Sequence, residues 1–183
     1  VMIERDGPLD TSDPDELFRN WKRNGVAHLR QSHAFLARLR VIMKEEHPAL
    51  IEQLLANGVR ELPFDIWLTE QQEEGYQPEP EDEDLTMITS RRTTLEMTMR
   101  RYVETLPNVR LQCGFRVERL LTRKGEDGML QVYGVQGMHD GAETELHADI
   151  VVDASGKGGR GIKQLIDEGA IIKEESESAG ILY

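Results

Sequence analysis

The stretch Ala148-Asp149-Ile150-Val151-Val152-Asp153-Ala154-Ser155-Gly156-Lys157-Gly158-Gly159-Arg160 constrains the fold more than any other part of the chain. A β-branched apolar run rises out of polar sequence and stops at an acid. A glycine-dense turn follows, and Gly161-Ile162-Lys163-Gln164-Leu165-Ile166-Asp167-Glu168 then reads as a helix. A buried strand, a tight glycine turn and a helix, in that order, let open α/β sheets bring backbone N–H groups against a phosphate. The pattern predicts a buried strand at 150–153 and points to a nucleotide or dinucleotide cofactor. The same residues also suit a plain sheet-to-helix turn.

With 183 residues, 38% hydrophobic and 31% charged, the chain can build a domain with a real core and has the profile of a soluble protein. Its formal net charge of -12 argues against bulk attraction to nucleic acid or an anionic membrane. The single cysteine, Cys113, excludes an internal disulfide and any multi-cysteine metal site, which fits a reducing, cytoplasmic setting. No apolar run approaches the roughly 20 residues that span a bilayer. Val1-Met2-Ile3-Glu4-Arg5-Asp6 opens without a lead-in and reads as a buried mid-sheet strand, and Ala179-Gly180-Ile181-Leu182-Tyr183 reads as the start of another. Both ends read as those of a fragment of a longer protein.

Between these ends the pattern alternates. After a strand at 1–5 and a loop, Pro14 opens a short helix with Asp13 as its cap. Three- and four-residue apolar spacing predicts a helix over 29–44; Pro48 opens a second, closed by Asn57-Gly58. A strand is expected at 60–68, a solvated acidic loop at 70–84 and a strand at 85–89. Ser90 is placed to cap a helix reaching Leu106. Four strands follow at 109–112, 115–121, 130–137 and 144–148, the last two flanking the hairpin signal Asp140-Gly141. The order predicts an α/β fold with an antiparallel layer inserted into a nucleotide-binding sheet.

Several residues stand out chemically. Glu4 ends the first strand, where a carboxylate offers two acceptors to a ribose diol or simply meets solvent, and Arg5 lies beside an adenine or is exposed. Arg91 and Arg92 open a helix, where their charge and the dipole both favour an anion; alternatively Glu96, one turn on, pairs with Arg92 or Arg100. Arg30-Gln31-Ser32-His33 suits a phosphate or a pocket wall, and His33 suits half-buried packing equally well. The five histidines show no ligand spacing with acids, so no metal site is assigned, and no nucleophilic triad is arguable.

Taken in order, Val1-Met2-Ile3-Glu4-Arg5-Asp6, the Gly25 to Arg40 segment, Arg92-x-x-Leu95-Glu96 with Arg100, Pro107-Asn108-Val109, Val135-x-Gly137 and Ala148 to Gly156 resemble the FAD-dependent monooxygenases, the class of the aromatic-ring hydroxylases of para-hydroxybenzoate hydroxylase type. The resemblance covers nearly the whole chain and implies a Rossmann-like FAD/NAD(P)-binding sheet, truncated at both ends, with residues 1–183 forming part of an FAD-binding domain. The helical block and strands at 28–89 would then contribute to the substrate side. It further implies that Glu4 holds the adenosine ribose beside Arg5, that Arg30 lies near the flavin, and that Arg92 reaches the pyrophosphate or ribityl side. Val117 would meet adenine through its backbone, and Asp153 and Gly156 would form the turn near the phosphates. NAD(P)H would be the co-substrate, reducing the flavin before O₂ reacts and oxygen passes to a small organic substrate. The chain departs from the pattern in three places. No Gly-x-Gly-x-x-Gly precedes Glu4, no Gly-Asp ribityl element follows, and His28 stands where Gln is usual. A flavin-dependent reductase of geranylgeranyl reductase type, a flavin halogenase and a non-catalytic α/β binding module are the alternative readings.

Overall fold

The computed structural model describes residues 1–23, 25–156 and 159–173. Along the chain run β1 (Met2–Glu4), α1 (Pro14–Asn20), β2 (Ser32–Phe35), α2 (Ala37–Glu46), α3 (Pro48–Ala56) and β3 (Arg60–Leu62). There follow α4 (Glu70–Glu73), β4 (Met87–Arg91), α5 (Arg92–Glu104), β5 (Leu111–Cys113), β6 (Arg116–Lys124), β7 (Leu130–His139), β8 (Ala142–His147) and α6 (Gly161–Asp167). The architecture is mixed α/β, with parallel and antiparallel pairing. The chain divides into two units, one of Val1–Met2 with Pro8–Leu111, the other of Ile3–Gly7 with the residues from Gln112 onward.

In the first unit, β2, β4 and β3 form an antiparallel sheet in that order. Its core gathers Met43, Leu50, Leu54, Val59, Ile88 and Leu95, with Phe35, Ile51 and Tyr102 packed against them. Leu50 and Leu54 are one turn apart and so share a face of α3. Past Asn57, Gly58 takes φ +87°, Val59 N–H donates to Leu54 C=O at 3.0 Å, and Gly58 N–H donates to Leu55 C=O at 3.0 Å. This paired closure satisfies carbonyls the helix end would otherwise orphan and turns Val59 back onto Leu54. Asp13 caps α1 as expected, accepting from Asp15 N–H at 2.8 Å and Glu16 N–H at 3.3 Å.

Four expectations in this unit are corrected. The helix expected over 29–44 is a turn, then β2, then α2, because pairing of Ser32–Phe35 with β4 overrides the local helical spacing. The strand expected over 60–68 stops at Leu62: Pro63 has no N–H to donate to a ladder, and Phe64–Trp67 form a 3-10 turn. The acidic segment is ordered into α4 and a 3-10 turn at Pro80–Leu85, with Tyr76 Oη donating to Asp82 at 2.5 Å and stacking edge-on to Phe64. Ser90 lies within β4, so α5 begins after Arg91, which makes no side-chain capping bond.

The second unit is built on the antiparallel sheet β6-β7-β8. Asp140 and Gly141, at φ 50° and 81°, join β7 to β8 in the tight mirror-image turn that suits strand twist. Phe115, Leu120 and Val135 form the core, with Ile3, Val132, Leu146, Val151 and Leu165 packed around them. Gly137 faces β6 so closely that a methyl group there would strike the Arg116 carbonyl oxygen. α6 covers the β6 edge: Gln164 Oε1 accepts from Leu120 N–H at 2.8 Å and its Nε2 donates back to Leu120 C=O at 2.9 Å, standing in for a neighbouring strand. Glu4 C=O accepts from Phe115 N–H at 3.0 Å and Asp6 C=O from Gly114 N–H at 3.1 Å, tying the end of β1 to the start of β6.

The buried strand expected at 150–153 does not form. Ile150 and Val152 are 80% and 82% exposed, while Val151 packs on the core, so one side chain in the run is held and its neighbours face outward. Among the described residues nothing pairs with its backbone, and an apolar run without a ladder partner stays an extended segment. Val1 and Met2 are likewise exposed, at 69% and 50%, against the expectation of a buried start. Lys157, Gly158 and the strand expected at 179–183 lie outside the described residues.

Candidate functional site

The antiparallel register of β2 with β4 pairs Ser32 with Arg91 and His33 with Ser90, so the next step sets Gln31 opposite Arg92, the first residue of α5. Arg92 N–H duly donates to Gln31 C=O at 3.1 Å. The guanidinium is held on two sides. Its Nε donates to Glu96 Oε1 at 2.5 Å, one helical turn on, and its Nη1 donates to His33 Nε2 at 3.2 Å. Glu96 is shared, its Oε2 accepting from Arg23 Nη1 at 2.6 Å. The Arg92 side chain remains 35% exposed. A cation at a helix N-terminus opposes the dipole unless an anion is near. Glu96 supplies one such charge, and the exposed part of the guanidinium can meet another.

Arg91 and Arg30 differ from Arg92. Arg91 Nη1 bonds Asp15 at 2.5 Å and lies over the Phe18 ring. Arg30, expected near a flavin, spreads its guanidinium over the C-terminal end of α1, donating to the carbonyls of Leu17, Arg19 and Trp21 at 3.3, 3.1 and 2.8 Å. It thereby gives partners to the Arg19 and Trp21 carbonyls at the helix end, and shares Leu17 C=O with the Trp21 N–H. Sequence spacing offered Glu96 either Arg92 or Arg100. It takes Arg92, while Arg100 faces Glu104 at 3.6 Å. Arg23 and His33 were not legible as partners, since they lie 73 and 59 residues from the groups they hold.

In the second unit, the backbone bonds from β1 to Gly114 and Phe115 bring Glu4 and Arg5 beside the start of β6, where Val117 lies. Glu4 Oε1 accepts from Asp6 N–H at 3.1 Å, the Arg5 side chain is largely exposed, and Val117 is 43% exposed. Asp153 accepts from Ser155 N–H at 2.9 Å and Ser155 Oγ at 2.5 Å; these bonds hold its carboxyl below the usual aspartate range. Gly156 follows at φ +74°, and a methyl at Gly161 would come within 2.8 Å of the Asp153 carboxylate. Gly159 and Gly161, lacking side chains, leave the space that the Asp153 carboxylate occupies. Among the described residues no three His, Cys, Asp or Glu side chains gather to hold a metal ion, and no helix is long and apolar enough to cross a membrane. No protein-family model matches the chain, and no curated protein matches it.

Proposed function

We propose that this chain is the FAD-binding part of a flavoprotein monooxygenase with a Rossmann-like sheet, acting on a small organic substrate with NAD(P)H and O₂. The observation that carries the reading is Arg92: a guanidinium at the head of a thirteen-residue helix, fixed on two sides and open on its exposed part. The resemblance of the ordered motifs gives that cation its anion, the pyrophosphate of FAD.

The donor set fits such a group. Arg92 presents N–H donors in a planar fork suited to phosphate oxygens. Glu4 offers carboxylate oxygens, the acceptors a ribose diol needs, at the end of a strand. Bound FAD would supply the redox and oxygen chemistry. The task of the chain's own residues is to bind and orient: Arg92 holds negative charge in the first unit. In the second unit, Glu4 and the turn at Asp153–Gly156 present an acceptor and a close-approach backbone.

The test is the visible absorption spectrum of the purified full-length protein. The two flavin bands, together with NADPH oxidation and O₂ uptake stimulated by an organic substrate, support the monooxygenase. Flavin bands without O₂ uptake point to a reductase. A colourless protein that takes up no added FAD removes the flavin reading and favours a binding module.

A further inference from the structure

We propose that His33 is a positioning residue for Arg92, acting with Glu96 to turn the free part of that guanidinium toward an anionic ligand; the inference rests on the reading of Arg92 as an FAD contact. Arg92 Nη1 can only donate, so His33 Nε2 must accept, which places the ring proton on Nδ1. Nδ1 in turn faces Gln31 C=O at 3.3 Å, the same carbonyl that takes the Arg92 backbone N–H at 3.1 Å. One carbonyl on the turn before β2 therefore fixes both the helix start and the tautomer of the imidazole that holds the side chain.

Glu96 completes the clamp from the other side. Its Oε1 takes Arg92 Nε at 2.5 Å and its Oε2 takes Arg23 Nη1 at 2.6 Å, so the carboxylate cannot swing away without losing two charged partners. With Nε and Nη1 both engaged, the guanidinium plane has little rotational freedom. Holding a flexible arginine in one rotamer before binding removes an ordering cost that the ligand would otherwise meet.

The acceptor at Nε2 is what the inference needs, and glutamine can supply a comparable one whereas leucine cannot. The experiment measures FAD affinity and thermal midpoint for full-length wild type, Arg92→Met, His33→Leu and His33→Gln. The expected result is a loss of about tenfold in FAD affinity for His33→Leu, the size of one lost charge-assisted hydrogen bond, with His33→Gln within about threefold of wild type. The two His33 variants should melt together. If Arg92→Met loses FAD while His33→Leu keeps wild-type affinity, the positioning role is wrong and the flavin reading stands. If His33→Gln is as poor as His33→Leu, or His33→Leu alone melts early, the histidine serves packing and the inference is overturned. If wild type binds no FAD, the flavin reading falls and takes the inference with it.

Discussion

Arg40 and Arg92 are two arginines of the same unit, each clamped by a glutamate, and they end in opposite situations. The Arg40 side chain is 8% exposed: its Nε bonds Glu61 at 2.6 Å, and Nη1 donates to the Glu83 carbonyl at 3.3 Å. Lys44 completes this latch by reaching Glu83 Oε1 at 2.6 Å, so α2 is bound to the acidic segment. The Arg92 side chain is 35% exposed, about four times as open, and among the described residues it is held by one carboxylate and one imidazole. A buried cation must have its donors satisfied by the protein, because desolvation would otherwise dominate. A half-open one is stable with donors to spare. The first arrangement holds a fold together, and the second has room for a ligand.

The sharpest way to break this contrast is to delete each guanidinium in turn. Arg40→Met takes the one buried member out of this cluster and leaves the Glu61 carboxylate, 34% exposed, and the Glu83 carbonyl without their donor. A loss of about 3 kcal/mol is expected, at the low end for a broken buried pair because Glu61 keeps some contact with water. That corresponds to a fall of roughly 6–12 °C in thermal midpoint. Arg92→Met is expected to cost about 1 kcal/mol, read in the same melting experiment, because Glu96, 19% exposed, keeps Arg23 as a charged partner. If the two costs are equal, Arg92 is as structural as Arg40 and the contrast fails.

The acidic segment sharpens the comparison through pH. The Lys44 ammonium, by hydrogen bond and charge, holds the Glu83 carboxyl below the usual glutamate range. A lowered folded value means the latch is fully present above the ordinary glutamate range and lost as pH falls through the lowered one. Lys44→Met should blunt that acid sensitivity, read as the pH dependence of Trp67 fluorescence at the exposed 3-10 turn. The same segment has an alkaline limb. Tyr76, bonded to Asp82, is pushed up from 10.0 to about 12. Its contact is intact below the ordinary tyrosine range and weakens as pH climbs through about 12, so Tyr76→Phe should remove the latest step of the tyrosinate absorbance titration. This is the smallest effect, because Tyr76 tethers one surface segment only.

What was legible in the sequence was local. The Asp13 cap, the Asn57-Gly58 closure and the Asp140-Gly141 turn each depend on a few adjacent residues, and each is present. What escaped was set by distant partners. Phe35 fits a helical repeat, but β4, more than 50 residues away, claims it for a strand. Ile150 and Val152 fit a buried strand, yet a strand needs a neighbour, and none of the described residues supplies one. The Arg92–Glu96 pair follows from one-turn spacing, whereas Arg23 and His33 reach it only through the folded sheet and its flanking turn.

The most direct test of the central claim, that Arg92 is held open for an anionic cofactor, is the dissociation constant for FAD of full-length wild type and Arg92→Met, with Arg40→Met measured below its melting range as the control. Arg92→Met is expected to weaken FAD binding by about tenfold or more while Arg40→Met leaves it within about threefold. Equal affinity in wild type and Arg92→Met would contradict it.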